Sequence, residues 1–469
     1  MQRAMIMCGL AINFARVSLP LLLTLSVLLR NTADGSETNN TYEVAVDYLL
    51  QLQIANITNK TDALAALLRL DHYLHDIPFW EEQLPRQNKP RQRFTILQWS
   101  DKECYDRTGF RQIQLQKIYN CFGLAEVAAQ NRDGRIRVYR KHYNQRNVRT
   151  AYTFDPEEIF LFFMTKFHTG DDNTKLCNEI FGGYVDRWKE GFPWMVRYID
   201  NRYESVLGYQ GLMRYYKDFP TFHSKLEQRV QKDLPRHQCD GRRCVYTHLH
   251  YLPFNIFGFI DCSIFKTSVP FSGPDGDFIG APRKPKYTEA QRSIYTKFKK
   301  VHGIKVEAIM LPNGIMFVYG PVSCRVADVG GVVRMSNVDQ FLTTLQEAEP
   351  QRYYAFGDSP YGTRYLQSIC SYFFAVGGGR ITDAQQHCNY FLKSIRESIE
   401  WSFAEISHHF RLCDRPEKLK LGAQHPYAIE LLRCSFLLMN IYSCMNGSHA
   451  SSINMFDISP PTLEQYLQT

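Results

Sequence analysis

The sequence predicts an α/β protein with a helical front half and a β-rich back half. Three observations carry this. After Pro253 the helical spacing of apolar residues gives way to short apolar runs. Asn313-Gly314 stands between apolar residues 306–311 and 315–319, which marks a hairpin. Residues 383–408 place Phe391, Ile395, Ile399, Phe403 and Ile406 on one stripe, which marks a long amphipathic helix. The 469 residues suffice for about two or three domains. An aromatic content of 14% excludes a disordered chain, and the mixed composition excludes collagenous and low-complexity classes.

Residues 17–29 are an apolar run behind Arg3 and Arg16. The run is short for a membrane span and contains Pro20, so it resembles the apolar part of a signal peptide. A buried helix and a mis-chosen start codon are the alternatives. No other stretch reads as a span, and no stable membrane association is expected. Glycosylation triplets begin at Asn39, Asn56, Asn59 and Asn446, about as many as chance supplies. Residues 43–77 carry leucines at helical spacing, and residues 85–93 are a Pro/Gln/Arg linker. Ile113, Leu115, Ile118, Tyr119 and Phe122 predict a helix over 112–129.

Asp155-Pro156-Glu157-Glu158 opens a further helix: a capping Asp, a Pro at the first position, then acids. A second helix over 174–181, a Gly182-Gly183 turn and a third over 184–198 give a helix-turn-helix outline. Arg187 and Lys189 are then expected to face DNA. Gly191 and Pro193 interrupt the third helix, and many helical bundles share the outline. Residues 255–263 form an apolar run that contains Asp261. Residues 338–345 read as a helix and 353–356 as a strand ending at Gly357-Asp358. Gly377-Gly378-Gly379 lacks the Lys-Ser or Lys-Thr of a phosphate loop.

Charge is concentrated. The chain carries +8, yet residues 86–150 alone hold fifteen Lys or Arg against five Asp or Glu. Arg135, Arg137, Arg140 and Lys141 lie at the centre of this segment, with Tyr139 and Tyr143 among them. Such a patch neutralises phosphates and releases counterions; a solvated basic loop is the equal alternative. Thirteen scattered cysteines fit a reducing compartment. Cys239, Cys244, His248 and His250 have the right atoms for zinc, but the His pair is too close for the usual finger. Asp240-Gly241 reads instead as a turn between short strands.

Two predicted strands end in an aspartate, Asp261 and Asp358, and the long helix carries Glu400. Three convergent carboxylates bind hard divalent cations through oxygen. Two such ions activate a nucleophile and stabilise the leaving oxygen in phosphoryl transfer. Strand-end aspartates are, on this pattern alone, more often structural.

The motifs around these acids have a resemblance. Gly258-Phe259-Ile260-Asp261 resembles the first-aspartate motif of the Harbinger-type (PIF/Harbinger) DDE transposases. Residues 299–305, Lys-Lys-Val-His-Gly-Ile-Lys, are similar to their basic segment before the next strand. Phe356-Gly357-Asp358-Ser359-Pro360-Tyr361 is similar to the second-aspartate motif. Residues 395–403 resemble the helix of the third acid, and Phe410-Arg411-Leu412 suits the family's stretch after that helix. Ser459-Pro460-Pro461-Thr462 looks like a C-terminal signature of one branch. The motifs run in the family's order from about residue 254 to the end, more weakly over 95–210, and leave 1–85 uncovered.

The resemblance implies an RNase H-like fold, a mixed sheet with flanking helices, preceded by a helix-turn-helix-like region. Composition and apolar spacing divide the front into an apolar and flexible leader over 1–45 and a helical, basic region over 46–150. Beyond these come a DNA-binding region over 151–235 and a nuclease domain over 250–469. The implied catalytic and metal-binding triad is Asp261, Asp358 and Glu400, with Mg2+ or Mn2+ as cofactor. Asp261 is then expected to bridge two ions, with Asp358 and Glu400 holding one each. The implied reaction is attack of water on a DNA phosphodiester. Lys299, Lys300 and Lys305 are candidates to hold the DNA backbone, with solvated lysines as the plain alternative. A separate Myb-like protein and a homodimer are the implied partners besides DNA, and the nucleus is the implied location. A secretory location applies only if residues 17–29 are a signal peptide.

Two positions depart from the pattern. Cys262-Ser263 stands where the family has Gly-Thr, and Ala327-Asp328 lacks the family's His before the Asp. Glu397, one turn before Glu400, is the rival third acid; Trp401 and Phe403 favour Glu400. The resulting reading is a DDE endonuclease or transposase. The alternatives are a domesticated descendant that binds without cutting and a secreted glycoprotein.

Overall fold

The computed structural model describes residues 94–139, 151–182, 185–233, 238–239, 242–243, 254–269, 289–375, 380–416, 419, 421, 427–447 and 453–468. Residues 17–29, Arg140, Lys141, Cys244, His248, His250 and the first three glycosylation triplets lie outside them.

The helical part begins with α1 (Asp101–Thr108), α2 (Gln112–Phe122) and α3 (Leu124–Ala129). Ser100 and Glu103 cap α1 reciprocally. The expected single helix over 112–129 is two, because Gly123 takes φ +67 and ends α2. The hydroxyls of Tyr203 and Tyr198 donate to the last carbonyls of α2, at Cys121 and Phe122, both at 2.7 Å. Strands β1 (Ile136–Tyr139) and β2 (Ala151–Phe154) pair antiparallel. Helix α4 (Pro156–Thr169) comes next, with Pro156 at its first position. Asp155 makes no cap bond; its carboxylate faces Arg135 at 3.5 Å. Every residue from Glu158 to Phe167 is buried, so α4 is a core helix.

The helix-turn-helix expectation changes here. The second helix is the short α5 (Asn173–Leu176), continued by a wide π turn over Cys177–Phe181. The third is α6 (Val185–Leu207), unbroken through Pro193 and buried along Trp188, Phe192, Met195, Val196 and Ile199. Burial on this scale outweighs the hydrogen bond lost at Pro193. Gly191 is required: a Cβ there would lie 2.4 Å from the Phe154 ring. A helix packed this way is part of the core, whereas a recognition helix presents its face to DNA. Helices α7 (Tyr209–Leu212) and α8 (Phe219–Asp233) complete the front half.

Strands β3 (Gln238–Cys239) and β4 (Arg242–Arg243) pair antiparallel, as the Asp240-Gly241 turn predicts. The main sheet is built from β5 (Ile256–Lys266), β6 (Tyr295–Thr296), β7 (Val301–Met310), β8 (Met316–Ser323), β9 (Tyr354–Phe356) and β10 (Ile369–Cys370). Its order is β10-β9-β5-β7-β6, with β8 also on β7. β10, β9 and β5 run parallel; β7 is antiparallel to β5, β6 and β8. The predicted Asn313-Gly314 turn joins β7 to β8, with Gly314 at φ +87. Short α9 (Glu289–Ser293) and α10 (Arg334–Ser336) lie between strands, and α11 (Val338–Leu345) matches its expected bounds.

Helix α12 (Asp383–His409) buries its whole predicted stripe and lies on β5. Helix α13 (Ala428–Asn446) packs on α6 and β8. It is the helix among the described residues long and apolar enough to cross a membrane, but 72% of its apolar window is buried in the protein. Asn440 fastens it, accepting from Met316 N at 2.9 Å and donating to Met316 O at 2.7 Å. It is thus a core helix. The chain closes with α14 (Ile453–Phe456) and α15 (Leu463–Leu467). Within residues 86–469 the front helices and the sheet share one apolar core.

Candidate active site

Strand register sets the two aspartates. Phe259 of β5 pairs with Phe356 of its parallel neighbour β9. Asp261 and Asp358 each lie two residues further on. Asp261 lies inside β5 rather than at its end, whereas Asp358 lies just past the end of β9, close enough for its charge to act on Asp261. Neighbouring strands lie about 4.8 Å apart, which brings the segment that follows β9 beside β5. Gly357 makes the turn tight: a Cβ there would lie 2.5 Å from Tyr361. Tyr361 is fully buried, and its hydroxyl meets the Cys262 thiol at 3.4 Å. Cys262 therefore fills space that a glycine in that place leaves open. Its N–H donates to Asp261 Oδ1 at 2.7 Å.

Helix α12 supplies the third acid and a cation. Ser402 sets its height over the sheet by donating to Met310 Sδ at 3.0 Å. Arg396 Nη1 donates to Asp261 Oδ2 at 3.1 Å, and Nη2 donates to Glu400 one turn further on. Its Nε donates to the Tyr372 hydroxyl at 3.0 Å. A single guanidinium thus links a sheet acid to a helix acid. Glu400, rather than Glu397, is the helix acid in this group.

Burial pushes Asp261 up to about 6; the negative charges of Asp358 and Glu400 add to it, while the Cys262 N–H and Arg396 oppose it. Burial also raises Asp358, with Asp328 and Glu400 adding to the rise and Arg396 opposing it. The three acids therefore share one field.

A further acid, absent from the sequence-based expectations, lies next door. Glu307 on β7 pairs across from Cys262 and is fully buried. Its Oε1 accepts from Tyr209 of α7 at 2.7 Å, and its Oε2 has no hydrogen-bond partner among the described residues. A signal exists in the sequence: an acid between Val306 and Ala308 in an apolar strand. Burial raises Glu307 to about 7. The folded chain thus holds this proton more tightly than the unfolded chain, where the value is 4.5. The stabilising contribution is complete below pH 4.5 and lost as pH rises through about 7. Glu307→Gln is expected to match wild type closely near pH 5 and to be more stable by about 3 kcal/mol at pH 8. Denaturant unfolding at the two pH values checks this; parallel pH dependence in both proteins contradicts it.

The basic residues separate into three groups. Arg187 is buried, and its guanidinium donates twice to Glu158 at 2.7 and 2.6 Å. It donates to Thr153 O and stacks 4.1 Å from the Phe154 ring centroid. It is a structural ion pair, a correction to the expectation that it faces DNA. Lys305 is likewise buried, donating to Val326 O at 2.7 Å and paired with Asp328. The second group is exposed or half-exposed. Arg135 and Arg137 sit beside Asp155 and Asp133, at 3.5 and 3.7 Å, and Lys189 pairs with Asp186 at 2.8 Å. The third group, Lys299 and Lys300, is exposed in the turn between β6 and β7.

Among the described residues, no three acidic, His or Cys side chains already stand together as metal ligands. The chemistry of the set nevertheless fits a hard cation. Asp261, Asp358 and Glu400 offer carboxylate oxygens only, and one guanidinium faces three negative charges. Asp358 Oδ1 is buried without a hydrogen-bond partner among the described residues. A buried carboxylate oxygen without a donor is costly unless a cation satisfies it.

No curated protein and no solved structure matches the chain. A family model does. Residues 277–440 match the model of the DDE superfamily endonuclease, a stretch that holds Asp358 and Glu400 and begins after Asp261. With its mixed six-stranded sheet flanked by helices, the chain has an RNase H-like fold, and its residues 277–440 are similar to the DDE superfamily endonucleases.

Proposed function

We propose that the chain is a Harbinger-like DDE transposase, or a nuclease derived from one, that cuts DNA phosphodiester bonds at Asp261, Asp358 and Glu400. The observation that carries this is the placement of the acids. Asp261 on β5 and Asp358 just past the parallel neighbour β9 lie within reach of each other's charge, and Arg396 ties a helix glutamate to the first of them. Asp261 and Asp358 are the ligands on the sheet, and Glu400 is the ligand on the helix. Bound divalent cations, Mg2+ or Mn2+, supply positive charge for the phosphate and lower the pKa of a nucleophilic water. Asp261, at about 6, is ionised at neutral pH and ready to coordinate. Arg396 orients Asp261 and Glu400 through its two hydrogen bonds. Attack of water at phosphorus breaks the P–O3′ bond and frees a 3′-hydroxyl, which in a transposase attacks target DNA.

The basic surface supports DNA as substrate. Ala404, Ser407, His408, Arg411, Asp414 and Arg415 line a cleft of about 420 Å³ at the C-terminal end of α12, the helix of Glu400. Action in the nucleus, a homodimer and a Myb-like partner are part of the same proposal and rest on the family resemblance. Glu400→Gln separates cutting from binding. It is expected to lower cleavage at least about 100-fold, since even outer partners of metal ligands are worth ten- to a hundredfold. DNA affinity is expected to stay nearly unchanged, as one surface acid leaves. Cleavage gels and a binding titration on the same DNA check this; equal loss of both contradicts the assigned role.

A further inference from the structure

Residues 297–300, Lys-Phe-Lys-Lys, form the turn of the β6–β7 hairpin. Phe298 at its tip is 90% exposed, and the three lysines around it are exposed too. Lys300 holds φ +53. The base of the hairpin is well fixed. The Tyr295 and His302 rings pack at 4.9 Å, Gly303 N donates to Ile294 O at 2.9 Å, and the Cys324 thiol donates to the same carbonyl at 3.0 Å. A rigid base therefore presents an apolar ring that is left exposed among the described residues. Leaving a phenylalanine in water forgoes the stabilisation that burial of its ring supplies.

The hairpin also has a fixed relation to the acids. Ala308 lies opposite Asp261, and Val301 is the first β7 residue after the turn. Seven residues at about 3.4 Å each place the turn about 24 Å along the ribbon from Asp261. A second copy of the chain is a poor occupant, because docking on Phe298 must desolvate three lysines. A nucleic acid meets both features at once, lysines on phosphates and ring on base. In a paired duplex the base faces are already stacked. The ring therefore needs a base that is unpaired or unstacked.

We propose that the Lys297–Lys300 turn is a DNA-contacting wedge whose Phe298 stacks on an unpaired base away from the cleaved bond. The proposal rests on the nuclease reading and adds the form of DNA that it prefers. The test uses the full-length protein in metal-free buffer and two DNAs of one mixed sequence. One is fully paired; the other carries a three-nucleotide bubble with 2-aminopurine. Wild type is expected to favour the bubble and to quench or shift its fluorescence. Phe298→Ala is expected to lose about tenfold on the bubble, the size of one base stack, and nothing on the paired duplex. Phe298→Trp is expected to restore the preference. Changing the three lysines to Gln is expected to weaken both and flatten the salt slope by about three. Phe298→Ala binding both DNAs like wild type, or losing both equally, overturns the wedge alone. Wild type binding neither DNA overturns the nuclease reading and the wedge together.

Discussion

Asp261→Asn is expected to abolish metal-dependent DNA cleavage while the protein stays folded. Asn keeps the shape and still accepts the Cys262 N–H, which now reaches Asp261 Oδ1 at 2.7 Å. It removes the negative charge that a cation and Arg396 both use. A direct ligand matters more than the outer groups that orient it, whose loss costs ten- to a hundredfold, so the drop is at least about 100-fold. Stability moves little, because burial already pushes the Asp261 carboxyl up to about 6 and a neutral side chain avoids that cost. Cleavage of labelled DNA at fixed Mg2+ or Mn2+, run beside a thermal melt, checks both halves. Cleavage at the wild-type rate removes Asp261 from the site.

Arg187→Met is expected to have the largest effect on stability, about 3–5 kcal/mol. It leaves the Glu158 carboxylate buried with both oxygens stripped of donors. Thr153 O loses its guanidinium partner as well. A protein of ordinary stability has about 5–15 kcal/mol in total, so the loss is a large part of it. The double variant Arg187→Met/Glu158→Met is expected to recover much of it, because two apolar chains replace a paired charge. Denaturant midpoints of the three proteins measure this. An unchanged midpoint with weakened DNA binding would instead return Arg187 to the DNA-facing group.

Much of the back half is legible in the sequence because its signals are local. Asn313-Gly314 dictates its own turn, and the stripe from Phe391 to Ile406 dictates a helix face. The motif order marks Asp261, Asp358 and Glu400, and the parallel pairing of β5 with β9 brings the two aspartates close. The front half is less legible because its signals are tertiary. Pro193 reads as a helix break, yet α6 continues because its neighbours are buried on α13. Arg187 reads as a phosphate contact, yet its partner Glu158 is twenty-nine positions away. The same holds for the site's inner partners. Arg396 links Asp261 and Glu400 only once α12 crosses β5, and Glu307 meets Tyr209 across ninety-eight positions.

If these acids hold a cation that cuts DNA, the most direct measurement is cleavage of labelled duplex DNA by the purified full-length protein, titrated with Mg2+ and with Mn2+. Nicking is expected to rise with either ion and to disappear with a chelator. A protein that binds DNA with steep salt dependence but leaves it intact at every ion concentration contradicts this, and identifies a binding module that no longer cuts.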